Sequence, residues 1–75
     1  MNFYGSIKMA EKVRIIKINN QIKVKFHYNE DLVEIMNDFG GYWNKKERAW
    51  FFPAYKKSEL RDELVRRMYD VVILG

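Results

Sequence analysis

The side chains with chemistry to offer are basic and aromatic, and they lie interleaved. Tyr42 and Trp43, then Lys45, Lys46 and Arg48, then Trp50 and Phe52 fall within one short stretch. Cations neutralise phosphates and flat rings stack on unpaired bases, so the combination suits single-stranded nucleic acid. A second run, Lys23, Lys25 and His27, alternates with Ile22, Val24, Phe26 and Tyr28. In a strand, that alternation sends the three polar side chains out of one face. There His27 could meet a phosphate or a base. Lys56 and Lys57 extend the basic set. The candidate nucleic-acid interface is therefore Lys23, Lys25, His27, Tyr42, Trp43, Lys45, Lys46, Arg48, Phe52, Lys56 and Lys57.

Strand alternation divides the aromatic residues. Trp50 and Phe52 share one side of their strand, Ala49 and Phe51 the other. Whichever of Phe51 and Phe52 faces outward is the stacking candidate. Trp50 is expected to pack beneath helices, because a small core needs large side chains. Tyr42 and Trp43 are open to either role.

The distribution of charge says more than its total of +4. Residues 12–28 carry Lys12, Arg14, Lys17, Lys23 and Lys25 and no acid. Residues 41–57 carry Lys45, Lys46, Arg48, Lys56 and Lys57 against Glu47 alone. Residues 29–40 carry Glu30, Asp31, Glu34 and Asp38 and no base. The expected molecule has one basic side and one acidic side. Such a field draws a polyanion to one face and repels it from the other.

The same inventory argues against other classes. No cysteine is present and the single histidine is His27, so no zinc site and no cofactor are expected. Nothing places Ser6 or Ser58 beside His27 as a nucleophile–base pair, so no catalysis is expected. No apolar run approaches the roughly 20 residues of a membrane span, and the first residues lack the pattern of a signal peptide. The expected location is cytoplasmic, and nucleoid-associated if the ligand is DNA.

The elements that must position these residues follow from periodicity. Residues 1–11 lack it and are expected to form a flexible N-terminal arm, with 12–75 as a single domain. Residues 13–28 predict a β-hairpin turning at Asn19-Asn20, residues that tolerate positive φ. Ile15-Ile16 leaves the inward face of its first strand open. Asn29 predicts an N-cap, and Leu32, Ile35, Met36 and Phe39 form one apolar stripe over a helix at 30–39. Gly40 is the expected left-handed residue after it. Residues 42–53 predict a second hairpin. A second helix is expected over 56–68 on Leu60, Leu64 and Met68, with Val65 beside them. A last strand follows at Val71 to Leu74. The fold class is α+β in the order ββαββαβ. Strands arriving as hairpins predict an antiparallel-dominated sheet with two helices on one face.

The stretch from Lys23 to Leu64 resembles the HARP-type domain of annealing helicases. It is also similar to short modules beside superfamily 2 helicases, including the damage-recognition domain of an archaeal repair helicase family. The shared pattern is the alternating strand Val24 to Tyr28, an amphipathic helix, Gly40-Gly41-Tyr42-Trp43-Asn44, a basic turn, then Arg48-Ala49-Trp50-Phe51-Phe52-Pro53. Tyr55 and a helix with spaced leucines follow. The resemblance implies a ββαββα-type domain that binds DNA at structured or partly single-stranded sites. It implies DNA contacts from Lys45, Lys46 and Arg48 and a structural Trp50. This sequence has no Gly-Lys-Ser/Thr nucleotide loop, so helicase activity is not implied.

The expected function is nucleic-acid binding, DNA before RNA, at single strands, forks or junctions. The alternative is a protein-interaction module, an adaptor or inhibitor of a helicase or other replication or repair enzyme. In that reading the last strand, if it lies at an edge, could also pair two copies into a homodimer.

Overall fold

The computed structural model describes residues 11–75. The arm expected at 1–11 thus lies outside the described residues except for Glu11. The elements run β1 (Lys12–Ile18), β2 (Gln21–Lys25), α1 (Glu30–Asp38), β3 (Tyr42–Asn44), β4 (Ala49–Pro53), a 3₁₀ turn (Ala54–Lys56), α2 (Lys57–Arg66) and β5 (Asp70–Leu74). The domain is α+β with the ββαββαβ order. No helix among the described residues is long and apolar enough to cross a membrane.

The five strands form one sheet in the order β3-β4-β2-β1-β5. β1–β2, β2–β4 and β3–β4 are antiparallel. β5 departs from the hairpin expectation, because it lies parallel to β1. The connection from β4 through α2 passes over β2 and β1, so β5 arrives pointing the same way as its neighbour. Parallel neighbours require such a crossover rather than a turn.

One face of the sheet is the core. Val13 and Ile15 of β1, Ile22 and Val24 of β2 and Phe52 of β4 are buried together with Leu32, Ile35 and Met36 of α1 and Leu60 and Leu64 of α2. Both helices therefore cover the same face. Each fully buried aliphatic side chain contributes about 1.5–3 kcal/mol of burial free energy. The Ile15-Ile16 pair is thereby phased, with Ile15 inward and Ile16 on the opposite face.

Local chemistry sets the helix ends. The Asn29 side chain accepts from the Leu32 N–H at 3.1 Å, the expected N-cap. After α1, Gly40 takes φ +78°; its N–H donates to the Asn37 carbonyl and that of Gly41 to the Met36 carbonyl. These bonds make a Schellman ending. Gly41 is required for a different reason. A Cβ there would stand 2.6 Å from the Phe52 ring.

α2 ends with the same two bonds, Met68 N–H to the Val65 carbonyl and Tyr69 N–H to the Leu64 carbonyl. Here the left-handed position falls on Met68, at φ +70°. The helix stops at Arg66, and Met68 is 81% exposed rather than part of the apolar stripe. Val65 is exposed as well. The apolar spacing of Leu60, Leu64 and Met68 runs past the true helix end.

Candidate nucleic-acid interface

The sheet face away from the helices is open. One register row crosses all five strands: Tyr42, Phe51, Lys23, Ile16 and Leu74. Beside it lie Lys25 and Arg14, paired directly across β1–β2. Lys25 follows Val24, which pairs with Trp50 of β4, so Lys25 sits at the end of the sheet where β4 begins. The turn at residues 45–48 enters β4 at that same end. Arg14, Lys25, Phe26 and His27 line a shallow depression there.

The structure thus brings Lys25, His27, Lys45, Lys46 and Arg48 to one end of the sheet and adds Arg14. His27 reaches this corner from beyond β2, which stops at Lys25, so it is not a strand residue as the alternation implied. Lys56 and Lys57 follow the opposite end of β4 and are not part of the cluster. Lys56 is also engaged: its ammonium lies 5.8 Å from the centre of the Phe39 ring and 3.9 Å from Glu59.

The aromatic residues sort as alternation requires. Phe52 is 1% exposed in the core, opposite Ile22, and is excluded as a stacking residue. Its neighbour Phe51 lies on the open face, half-buried between Tyr42 and Lys23. Tyr42 is 67% exposed at the β3 edge of that face. Trp43 and Trp50 pair across β3–β4 on the other, helix-bearing side. Trp50 packs against the core, while Trp43 at the edge is 45% exposed.

The basic turn has defined geometry. The Asn44 side chain accepts from the Glu47 N–H at 2.9 Å, and the Asn44 carbonyl accepts from the Arg48 N–H at 2.7 Å. Closing this turn puts Arg48 at φ +55°, a left-handed conformation that costs a residue with a Cβ about 1 kcal/mol or more. Glu47 turns back to Lys23 at 3.0 Å. The bond from Lys23, followed by its charge, holds the Glu47 carboxyl below the usual carboxylate range.

Ion pairing separates the arginines of the helix side from most cations of the open face, although Lys57 of α2 has no ion-pair partner among the described residues either. On the helix side Arg66 and Arg67 both bind Glu63, Arg67 also binds Asp31 at 2.7 Å, and Arg61 lies 3.2 Å from Asp62. On the open face and its turn, Lys12, Arg14, Lys25, Lys45, Lys46 and Arg48 have no ion-pair partner among the described residues; Lys23 does. Arg14 and Lys25 even face each other, an arrangement that destabilises a sheet.

A second feature lies on the helix side of the β3 edge. Val24, Phe26, Tyr28, Val33, Trp43, Arg48 and Trp50 line a groove of about 530 Å³. Its walls come from three separate stretches of chain, which is why periodicity within any one element does not reveal it. Alternation sets Arg14 and Phe51 on the side opposite Val13–Ile15 and Trp50–Phe52, and it is the burial of Val13, Ile15 and Phe52 that makes theirs the open side.

No protein-family profile, no curated protein and no solved structure matches this chain. The resemblance to HARP-type domains therefore rests on its motif residues.

Proposed function

We propose that this chain binds nucleic acid, with DNA as the first ligand to try, at the basic end of the open sheet face and its β3–β4 turn. The observation that carries the reading is the sorting of ion pairs. Arginines of α2 are neutralised by carboxylates at contact distance, whereas Arg14, Lys25, Lys45, Lys46 and Arg48 gather without an ion pair of their own among the described residues; Glu47, already bound to Lys23, is the acid whose charge reaches Lys25 and Lys46. Like charges held together cost stability unless an external anion balances them. Tyr42 and Phe51 on the same face offer rings for unpaired bases. The acidic α1 disfavours binding from the far side. The HARP-like motif points toward structured or partly single-stranded DNA, with a helicase or another replication or repair protein as the partner that would bring it there.

The test is a titration of labelled single-stranded, duplex and forked DNA, and of single-stranded RNA, at two salt concentrations. Engaging four to six phosphates gives a slope of log K against log salt of roughly −3 to −5. Replacing Lys25, Lys45 and Lys46 with Ala should weaken binding to every strand and flatten the slope by about one for each phosphate no longer neutralised. Replacing Arg61 and Arg66 with Ala should change neither. Equal effects from the two sets would refute the site.

A second reading has one observation in its favour. β5 is an edge strand with Ile73 and Leu74 exposed and neither Lys nor Pro to guard it. Pairing of two copies through β5 would extend the sheet. A monomer by sedimentation at high concentration removes that reading.

A further inference from the structure

The groove beside β3 joins an aromatic interior to a single cation. Trp43, Trp50, Phe26 and Tyr28 supply the rings, Val33 of α1 the opposite wall, and Arg48 the charge. The volume of about 530 Å³ falls in the range of small-molecule sites, roughly 300–1,000 Å³. Tyr28 is 78% exposed and Trp43 is 45% exposed, so ring faces remain to be covered. Arg48 has no ion-pair partner among the described residues, and its backbone is held at φ +55° by the turn. Strain kept at a charged residue beside an aromatic groove is a pattern of binding sites.

We propose that this groove takes one unpaired nucleobase, with Arg48 holding the adjoining phosphate. The inference rests on the nucleic-acid reading above and specifies what the site recognises. β3 is the sheet edge, and its consecutive residues Tyr42 and Trp43 face opposite sides. A single strand crossing the open face therefore reaches the groove by passing around one short strand. Charge sets its orientation. Glu30 and Glu34 lie around the neighbouring depression, which shares Val33 with the groove. The phosphate accordingly lies on the Arg48 side and the base points inward between the rings. A paired base has no free faces to offer, so the site selects single strands, forks and mismatches over intact duplex.

The experiment compares a single-stranded oligonucleotide with one of equal length and charge whose central nucleotides are abasic. Wild-type protein should bind the base-bearing strand about 5- to 100-fold more tightly, the range expected for stacking one base. Tryptophan emission should be quenched by that strand and much less by the abasic one. Val33→Phe, which fills the groove, should shrink the difference to what Tyr42 and Phe51 of the open face supply, while leaving salt-sensitive binding to both strands. Trp43→Ala, at an exposed edge, should shrink it and serves if Val33→Phe fails to fold. Equal affinity of wild type for both strands would overturn the inference and leave the nucleic-acid reading standing. A preference undiminished in both variants would also overturn it. Absence of binding to either strand would overturn both.

Discussion

Trp43 and Trp50 face each other across β3–β4 with ring centroids 5.5 Å apart and planes tilted by 56°. The two rings do different work. Trp50 continues into the core beside Val24, and Trp43 closes the pair from the edge. Tilted aromatic pairs add about 0.5–1.5 kcal/mol beyond the area they bury. Trp50→Ala is therefore expected to destabilise the fold by about 3 kcal/mol, in the range for truncating large core aromatics. Trp43→Ala should cost about 1 kcal/mol, near the contribution of the pair itself. Urea unfolding of the two variants gives the comparison, and equal losses would show that Trp43 is a core residue.

Three residues with side chains occupy left-handed backbone at the ends of elements: Asn19 at φ +55°, a type that tolerates it, and Arg48 at φ +55° and Met68 at φ +70°, which do not. Glycine adopts that region without the Cβ clash. Arg48→Gly and Met68→Gly should each raise stability by about 0.5–1 kcal/mol, the relief of strain exceeding the added chain entropy. Binding should separate them. Met68→Gly should leave affinity for nucleic acid unchanged, and Arg48→Gly should reduce it and lower the salt slope by about one. If both stabilised variants bind like wild type, Arg48 is only a turn residue.

Tyr69 donates a 2.6 Å hydrogen bond to Asp31, which also receives Arg67. Burial, and then this bond, push the Tyr69 phenol from 10.0 up to about 12. The folded chain holds the proton that the unfolded chain loses first. The resulting stability is full below about pH 10 and is lost as pH rises through about 12. Wild type should lose stability more steeply than Tyr69→Phe across that window. Parallel pH profiles would show that the contact does not tie α1 to the end of α2.

Much of this architecture was legible from local signals. α1 was bounded by a cap at Asn29 and a glycine at Gly40, and both act as their types dictate. The end of α2 was not, because Met68 continues the apolar spacing while its backbone has already left the helix. Phe51 and Phe52 could be divided between two faces but not assigned to them. Pairing of Phe52 with Ile22 and Phe51 with Lys23 decides that, and such pairing depends on a distant strand. The basic cluster was half visible. Lysines in two hairpins were evident, whereas the exclusion of Lys56 and Lys57 depends on the length and direction of β4. The groove was invisible, since Tyr28, Val33 and Trp43 meet only after α1 has folded over the sheet.

The partnership of β1 with β5 joins the first described strand to the last. Contacts of such wide sequence separation pay the largest loop-closure entropy and form late. On the ribosome β1 emerges before every other described element and its partner after all of them. Until then Val13 and Ile15 lie along a raw margin able to capture any passing strand. The five-residue β5 therefore serves as a latch that closes the β1 margin last and passes the open edge on to its own outer side.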